Sequence, residues 1–158
     1  MNNILKKILI VLLILGLTSC AYKPIFLEKS YDFDIKEIIL SGDKNINRII
    51  KNKLQFIKNS EDKGKKVYNI KIVSKKNRVI VSKDSKGDPL KFEMNIIVEY
   101  KIINNNNTLF NNKIEKNNIY NNDSDQFKLE QTEDIILKNL TRSISDIIIS
   151  SIINLDDN

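Results

Sequence analysis

Residues 90–103 read LKFEMNIIVEYKII, and this stretch decides the fold. Apolar side chains occupy every second position from Leu90 to Ile102, and most positions between them are polar or charged. A period of two over that length is typical of a long antiparallel strand with one buried face and one largely polar face. Other parts of the chain must therefore cover the apolar face.

Shorter strands flank this one. The pattern predicts a strand at 35–40, a second at 67–73, a turn at 83–89, a turn at 104–107 and a returning strand at 108–120. Residues 78–81 either continue the second strand or form a separate one, because the join at 74–77 gives no clear signal.

Two segments have helical spacing instead. Apolar residues recur with that period at Ile46, Ile49, Ile50, Leu54 and Ile57, and either Asp43 or Asn45 can cap the helix. A longer helix opens at 123–125, and Lys138, Arg142 and Ser145 mark its polar side. Its apolar stripe consists of Leu129, Ile136, Leu137, Leu140, Ile144, Ile147, Ile148, Ile152 and Leu155.

The order of elements predicts the architecture. We expect an α+β domain over 35–158, with a mostly antiparallel four-stranded sheet and two amphipathic helices on one face, in the order β-α-β-β-β-α. The polar face of the sheet is then left over. The sequence leaves open whether that face meets water or the polar surface of a partner.

Composition excludes several classes of function. The chain of 158 residues has a net charge of +6, one Cys and no His, so the commonest general base and zinc sites of the Cys/His type are absent. No glycine-rich phosphate loop appears, and the spaced pairs Asp32/Asp34 and Asp123/Asp125 lie in polar segments that favour solvated or capping carboxylates. We therefore predict a protein that is not an enzyme and holds no cofactor or metal. Its Asn runs are typical of an AT-rich genome.

The N-terminal residues predict export. Lys6 and Lys7 precede the uncharged run ILIVLLILGL at 8–17, which matches the apolar region of a secretory signal. The following Thr18-Ser19-Cys20 resembles the lipobox of bacterial lipoproteins. We expect a signal peptide at 1–19 and acyl chains, palmitate among them, on Cys20. Residues 20–34 would form the lipidated tether, and Ala21, where an Asp resembles an inner-membrane retention signal, implies the periplasmic side of the outer membrane.

These features together resemble a known family. A lipobox followed by Tyr22-Lys23-Pro24, a strand and helix, a strand, a turn leading into LKFEMNIIVEYKI, another strand and a long last helix are similar to the LPS-assembly lipoproteins, the LptE family. The resemblance implies a plug inside the LPS-translocon β-barrel, of the LptD type, that assists barrel assembly and the delivery of lipopolysaccharide (LPS) to the outer leaflet. The wide lumen of such a barrel is polar and wet, which suits a polar sheet face.

The resemblance also implies an LPS-binding site. Its basic residues correspond to Lys83, Lys86 and Lys91 around the turn and to Lys128 near the start of the last helix. Clustered lysines would attract the phosphates of lipid A, but the same lysines are equally explained as solubilising charge. The alternative function is a structural outer-membrane lipoprotein that recruits another envelope complex without binding LPS. Export disfavours a nucleic-acid partner.

Overall fold

A computed structural model of the chain describes residues 33–57 and 66–156. The elements are β1 (Phe33–Gly42), α1 (Lys44–Gln55), β2 (Lys66–Lys83), β3 (Pro89–Asn104), β4 (Asn107–Asn121) and α2 (Gln126–Asp156). The predicted α+β class and the order β-α-β-β-β-α are confirmed. Cys20 and nearly all of the expected tether lie outside the described residues.

The four strands form one sheet in the order β1-β2-β3-β4. β1 and β2 are parallel, whereas β2 with β3 and β3 with β4 are antiparallel. A parallel pair needs a long crossover, and α1 is that crossover. β2 runs without interruption through Ser74–Asn77, so the two candidate strands of the sequence are one long strand.

The core lies between the sheet and both helices. The covered face is built by alternate residues of the strands, such as Tyr68, Ile70 and Ile72 of β2, and Ile96 and Ile102 of β3. The helices meet it with side chains that are almost entirely buried, among them Ile46, Ile50, Leu54, Ile144, Ile148 and Ile152. Burying this aliphatic surface is the main force that holds the helices on the sheet.

The structure decides which residue caps the first helix, and it corrects one residue of the second. Asp43 caps α1, since its Oδ1 accepts hydrogen bonds from the backbone N–H groups of Asn45 at 2.9 Å and Ile46 at 3.0 Å. Ser145 does not mark a polar side of α2, because it is completely buried. Its hydroxyl donates to the carbonyl of Thr141 at 2.8 Å, so a polar side chain is buried at little cost.

The two hairpin turns depend on particular residues. Asn105 and Asn106 join β3 to β4 with positive φ angles of 46° and 66°. Asn adopts this left-handed conformation more readily than most residues, and consecutive positive φ angles match the twist of a tight hairpin. The Asn run at 104–107, whatever its compositional origin, therefore has a structural use at its centre.

Candidate functional site

The β2–β3 hairpin ends in a well-fixed turn. The Oδ1 atom of Asp84 accepts hydrogen bonds from the backbone N–H groups of Lys86 and Asp88, both at 2.8 Å. The Asp84 N–H also donates to the carbonyl of Asp88 at 2.9 Å, and Gly87 supplies the positive φ of 92° that closes the turn. The turn therefore presents its side chains from a defined backbone.

Three of the four predicted lysines lie on this hairpin. Lys83 is the last residue of β2, Lys86 lies in the turn, and Lys91 lies opposite Ser82 of β2 and Asn121 of β4. All three are exposed, and none forms an ion pair within the described part of the chain. Their charges are available to an anion, although Asp84 and Asp88 lie in the same turn.

The fourth lysine reaches this end of the sheet through α2. The N–H of Asn122 donates to the carbonyl of Leu90 at 2.8 Å, and its Nδ2 donates to the carbonyl of Pro89 at 2.9 Å. These bonds hold the segment that precedes α2 against the turn end of the β2–β3 hairpin. Lys128 lies in the first turns of α2, where its Nζ is 3.8 Å from Oδ2 of Asp125. Lys128 is thus partly neutralised, unlike the other three.

Exposed apolar side chains accompany these lysines. Leu90 at the start of β3 is 50% exposed, and Phe127 at the start of α2 is 66% exposed. Val79 of β2 and Ile119 of β4 flank Glu93 on the face of the sheet that the helices leave open. We call Lys83, Lys86, Lys91 and Lys128, with these apolar neighbours, the hairpin end. It combines cations with apolar surface, as an amphiphilic ligand requires.

A second cluster, which the sequence did not predict, fixes α2 near the hairpin end. Glu133 of α2 accepts a hydrogen bond from the hydroxyl of Tyr120 at 2.7 Å, and its Oε1 lies 3.0 Å from Nε of Arg78. The Arg78 guanidinium carbon lies 3.7 Å from the ring centre of Phe92. Burial, and then the hydrogen bond to Glu133, raises the pKa of Tyr120 to about 12.

One signal in the sequence pointed to this cluster. The alternation of covered-face residues in β2 passes through Ile72 and Ser74 and continues to Arg78, which places a cation among apolar neighbours. On α2, Glu133 falls one turn after Leu129 of the apolar stripe. A basic and an acidic residue that each fall at a position where the pattern predicts a buried apolar side chain are candidates for an ion pair with each other.

The open face of the sheet is mixed rather than simply polar. Ile39 and Val73 are 41% and 53% exposed on it. Lys71 of β2 and Lys101 of β3 lie directly opposite each other, and neither forms an ion pair with a described residue. An open hollow of about 280 Å³ lies between them and Ser41 of β1. Opposed like charges cost stability, so this pair favours an anionic partner.

Among residues 33–57 and 66–156, no cluster of acidic, His or Cys side chains could hold a metal ion. No helix in the same ranges is both long and apolar enough to span a bilayer.

Comparison with known proteins assigns the fold. No family model and no curated protein matches the sequence. The structure, in contrast, matches the rare lipoprotein B of Shewanella oneidensis with a TM-score of 0.58 and 17% identity, over 77% of this chain and 97% of that chain. The chain therefore shares the fold of this protein.

Two further solved structures share this fold. An uncharacterized lipoprotein B from Nitrosomonas europaea has a TM-score of 0.61 and 15% identity, over 82% of this chain and 90% of the other. A minor lipoprotein from Acinetobacter baumannii has a TM-score of 0.51 and 15% identity, over 73% and 92%. At these identities the likeness is one of fold, and it covers nearly the full length of the neighbours.

Proposed function

We propose that the chain is a lipid-anchored outer-membrane protein, not an enzyme, that plugs an LPS-translocon β-barrel, assists its assembly and helps deliver LPS to the outer leaflet. The anchor is Cys20, and the domain that follows lies on the periplasmic side. The lipoprotein fold and the lipobox support the anchor and the class of protein. The proposals of a barrel partner and of LPS binding are supported by the surfaces of the domain.

The hairpin end is the observation that carries the LPS proposal. Lipid A combines phosphates with acyl chains. The hairpin end combines Lys83, Lys86 and Lys91, which form no ion pair within the described residues, with exposed Leu90 and Phe127. A lysine ammonium group donates hydrogen bonds to phosphate oxygens. Exposed apolar side chains can pack against the acyl chains of the same ligand. Neither surface alone would select such a ligand from simple anions or simple lipids.

The open face carries the barrel proposal. A mixed face that carries Lys71, Lys101 and Glu99 on its two central strands suits the wet, polar wall of a wide lumen better than it suits lipid. The same face also suits a different acidic envelope protein. That second candidate, a structural lipoprotein that recruits another complex without LPS, is favoured by Asp84 and Asp88, which reduce the positive charge of the turn.

A matched pair of variants tests the LPS site. One carries alanine at the four lysines of the hairpin end, Lys83, Lys86, Lys91 and Lys128. The other carries alanine at four exposed lysines elsewhere and loses the same charge: Lys36, Lys44, Lys51 and Lys113. We expect purified LPS to bind the first variant about tenfold or more weakly than the second, with the largest difference at low salt.

The outcome separates the two candidate functions. Equal losses in both variants would show that LPS responds only to net charge, and no loss in either would remove the LPS site from the proposal. Either result favours the recruiting lipoprotein. Crosslinking of the lipidated protein in outer membranes then identifies its partner: recovery of a large β-barrel supports the plug, and recovery without one contradicts it.

A further inference from the structure

β1 stops halfway along β2, and the stop is firmly built. The register of the parallel pair ends at Gly42 opposite Ser74. The N–H of Asp43 donates to the carbonyl of Ser74 at 3.1 Å, and α1 begins at the next residue. The hydroxyl of Ser74 donates to Oδ1 of Asn47 at 2.7 Å, which ties α1 to the same point. As the crossover, α1 then leads back toward the start of β2.

Within the described part of the chain, one side of the second half of β2 is therefore unpaired. No described strand pairs with Lys75–Lys83 on the side that β1 vacates. We call these nine residues of β2 the free edge. Along a strand, the backbone N–H and C=O groups of successive residues point alternately to the two sides, and unpaired groups at an edge are a template for another strand.

Known contacts fix which groups point outward. The carbonyls of Ile72 and Ser74 face β1, because they accept hydrogen bonds from the Ser41 hydroxyl and from the N–H of Asp43. The register with β3 is regular from there to Ile80. The outward residues of the free edge are therefore Lys76, Arg78 and Ile80.

The side chains of the free edge are unusual for an unprotected strand. Val79, Ile80 and Val81 are consecutive, β-branched and 50%, 47% and 46% exposed. Such residues favour an extended backbone, and exposed apolar edges invite pairing. A bulge after Ile80 and the flanking lysines limit unspecific pairing, but they leave room for one short strand.

Charge indicates the chemistry of that strand. β2 carries five Lys, one Arg and no acidic residue. A second copy of this chain would bring the same cations edge to edge, which disfavours self-pairing. We propose that the free edge of β2 binds an extended, acidic segment of a partner protein by strand addition, with apolar residues of that segment packed against Val79–Val81. This goes beyond the proposed function, because it requires neither LPS nor the four lysines of the hairpin end together.

A proline substitution tests the backbone pairing directly. The N–H of Ile80 points away from β3, so Ile80→Pro removes an outward donor without breaking the β2–β3 ladder. Ile80→Thr keeps that donor and the β-branched shape, and neither variant changes the charge. The probe is a fluorescein-labelled nine-residue peptide in which Glu alternates with Val and Thr, and its binding to the full-length chain in detergent is followed by fluorescence anisotropy.

We expect Ile80→Pro to weaken binding of this peptide about tenfold relative to Ile80→Thr. A peptide N-methylated at every second residue on its hydrogen-bonding edge should lose binding to the unmodified protein, whereas methylation on the opposite edge should not. The two N-methylated peptides are tested on the unmodified protein, so they still test strand addition if the proline variant fails to fold. Equal binding of both methylated peptides would mean that charge alone attracts the probe, and it would overturn strand addition.

Three further measurements separate this proposal from the alternatives. The Lys86→Ala and Lys128→Ala variants should keep peptide binding while losing LPS affinity, so the two proposals fail independently. LPS micelles can be added to the peptide complexes of the variants that no longer bind LPS at the hairpin end. If the micelles displace the peptide from these variants, the free edge binds lipid. A salt-resistant dimer that Ile80→Pro disrupts would make it a self-association edge. Either result would contradict the proposal that the free edge binds an acidic segment of a partner protein.

Discussion

Gly42 is a residue that no other amino acid can replace without cost. Its φ of +97° is left-handed, and a Cβ atom built there would lie 1.9 Å from the carbonyl oxygen of Ser74. Gly87 has a similar φ of +92°, but a Cβ atom there would meet no atom within 4 Å. The two glycines therefore separate the cost of the backbone conformation from the cost of a clash.

We expect Gly42→Ala to lower the free energy of unfolding by about 3 kcal/mol, because strain and overpacking act together. Gly87→Ala should lower it by only about 1 kcal/mol, the cost of the left-handed conformation alone. Urea unfolding of both variants measures the difference. Equal losses would indicate that the β1 end shifts freely away from Ser74, against the fixed stop described above.

Tyr120 should make stability depend on pH in the alkaline range. Its pKa rises from 10.0 in the usual phenol to about 12, first through burial and then through its hydrogen bond to Glu133, while Arg78 lowers it. Below pH 10 the phenol is protonated in both states and its contribution is fully present. As the pH rises from 10 to 12 the unfolded chain loses the proton first, so the free energy of unfolding falls.

A comparison with Tyr120→Phe isolates this effect. The unmodified protein should be more stable than the variant at pH 8, because the variant leaves Glu133 without the hydroxyl donor. That advantage should shrink between pH 10 and pH 12, because only the unmodified protein has the Tyr120 hydroxyl. A difference that stays constant across this range would contradict the raised pKa.

At the scale of the element, the start of α1 depends on one carboxylate. Asp43 accepts two backbone hydrogen bonds through a single oxygen. Asp43→Ala should lower the free energy of unfolding by about 1 kcal/mol, whereas Asp43→Asn retains an accepting oxygen and should lose much less. Urea midpoints of the two variants give the comparison. Similar losses would assign the effect to the negative charge at the helix N-terminus rather than to the cap.

The sequence predicted the order of strands and helices better than it predicted how the strands pair. The alternation of Leu90–Ile102 and the helical stripes predicted the class, the order and the turns, since burial imposes those periods directly. The parallel pairing of β1 with β2 was not predicted, because side-chain period is the same for both directions. The continuity of β2 through Ser74 was one of two alternatives that the sequence left open, and the structure decides for it: Ser74 is buried and bonded to Asn47.

At the scale of the whole molecule, the candidate surfaces were predictable only in part. The sequence placed Lys83, Lys86 and Lys91 around one turn, since they are close along the chain. That Lys128 lies at the same end depends on the bonds from Asn122 to Pro89 and Leu90, which directly follow the turn. The free edge could not be foreseen at all, because it exists only where β1 ends and β2 continues. Pairing between distant segments decides such features.

The barrel proposal makes its sharpest prediction on the open face. Lys71 and Lys101 lie directly opposite each other. Replacing both by Glu preserves a like-charge pair but places it beside Glu99, which lines the same hollow, so we expect a modest loss of folding stability. It reverses the field that an acidic partner surface would meet. The matched control, Lys44→Glu with Lys51→Glu, makes the same change of charge at exposed positions of α1.

Crosslinking in outer membranes, followed by quantification of any large β-barrel recovered with each variant, measures the effect. Recovery should fall several-fold for the open-face variant and stay near the unmodified level for the α1 variant, because only the first changes the surface that we assign to the lumen. Equal recovery from all three proteins would remove the open face from the barrel contact. A loss confined to the α1 variant would assign the contact to the opposite side of the domain, where the helices cover the sheet.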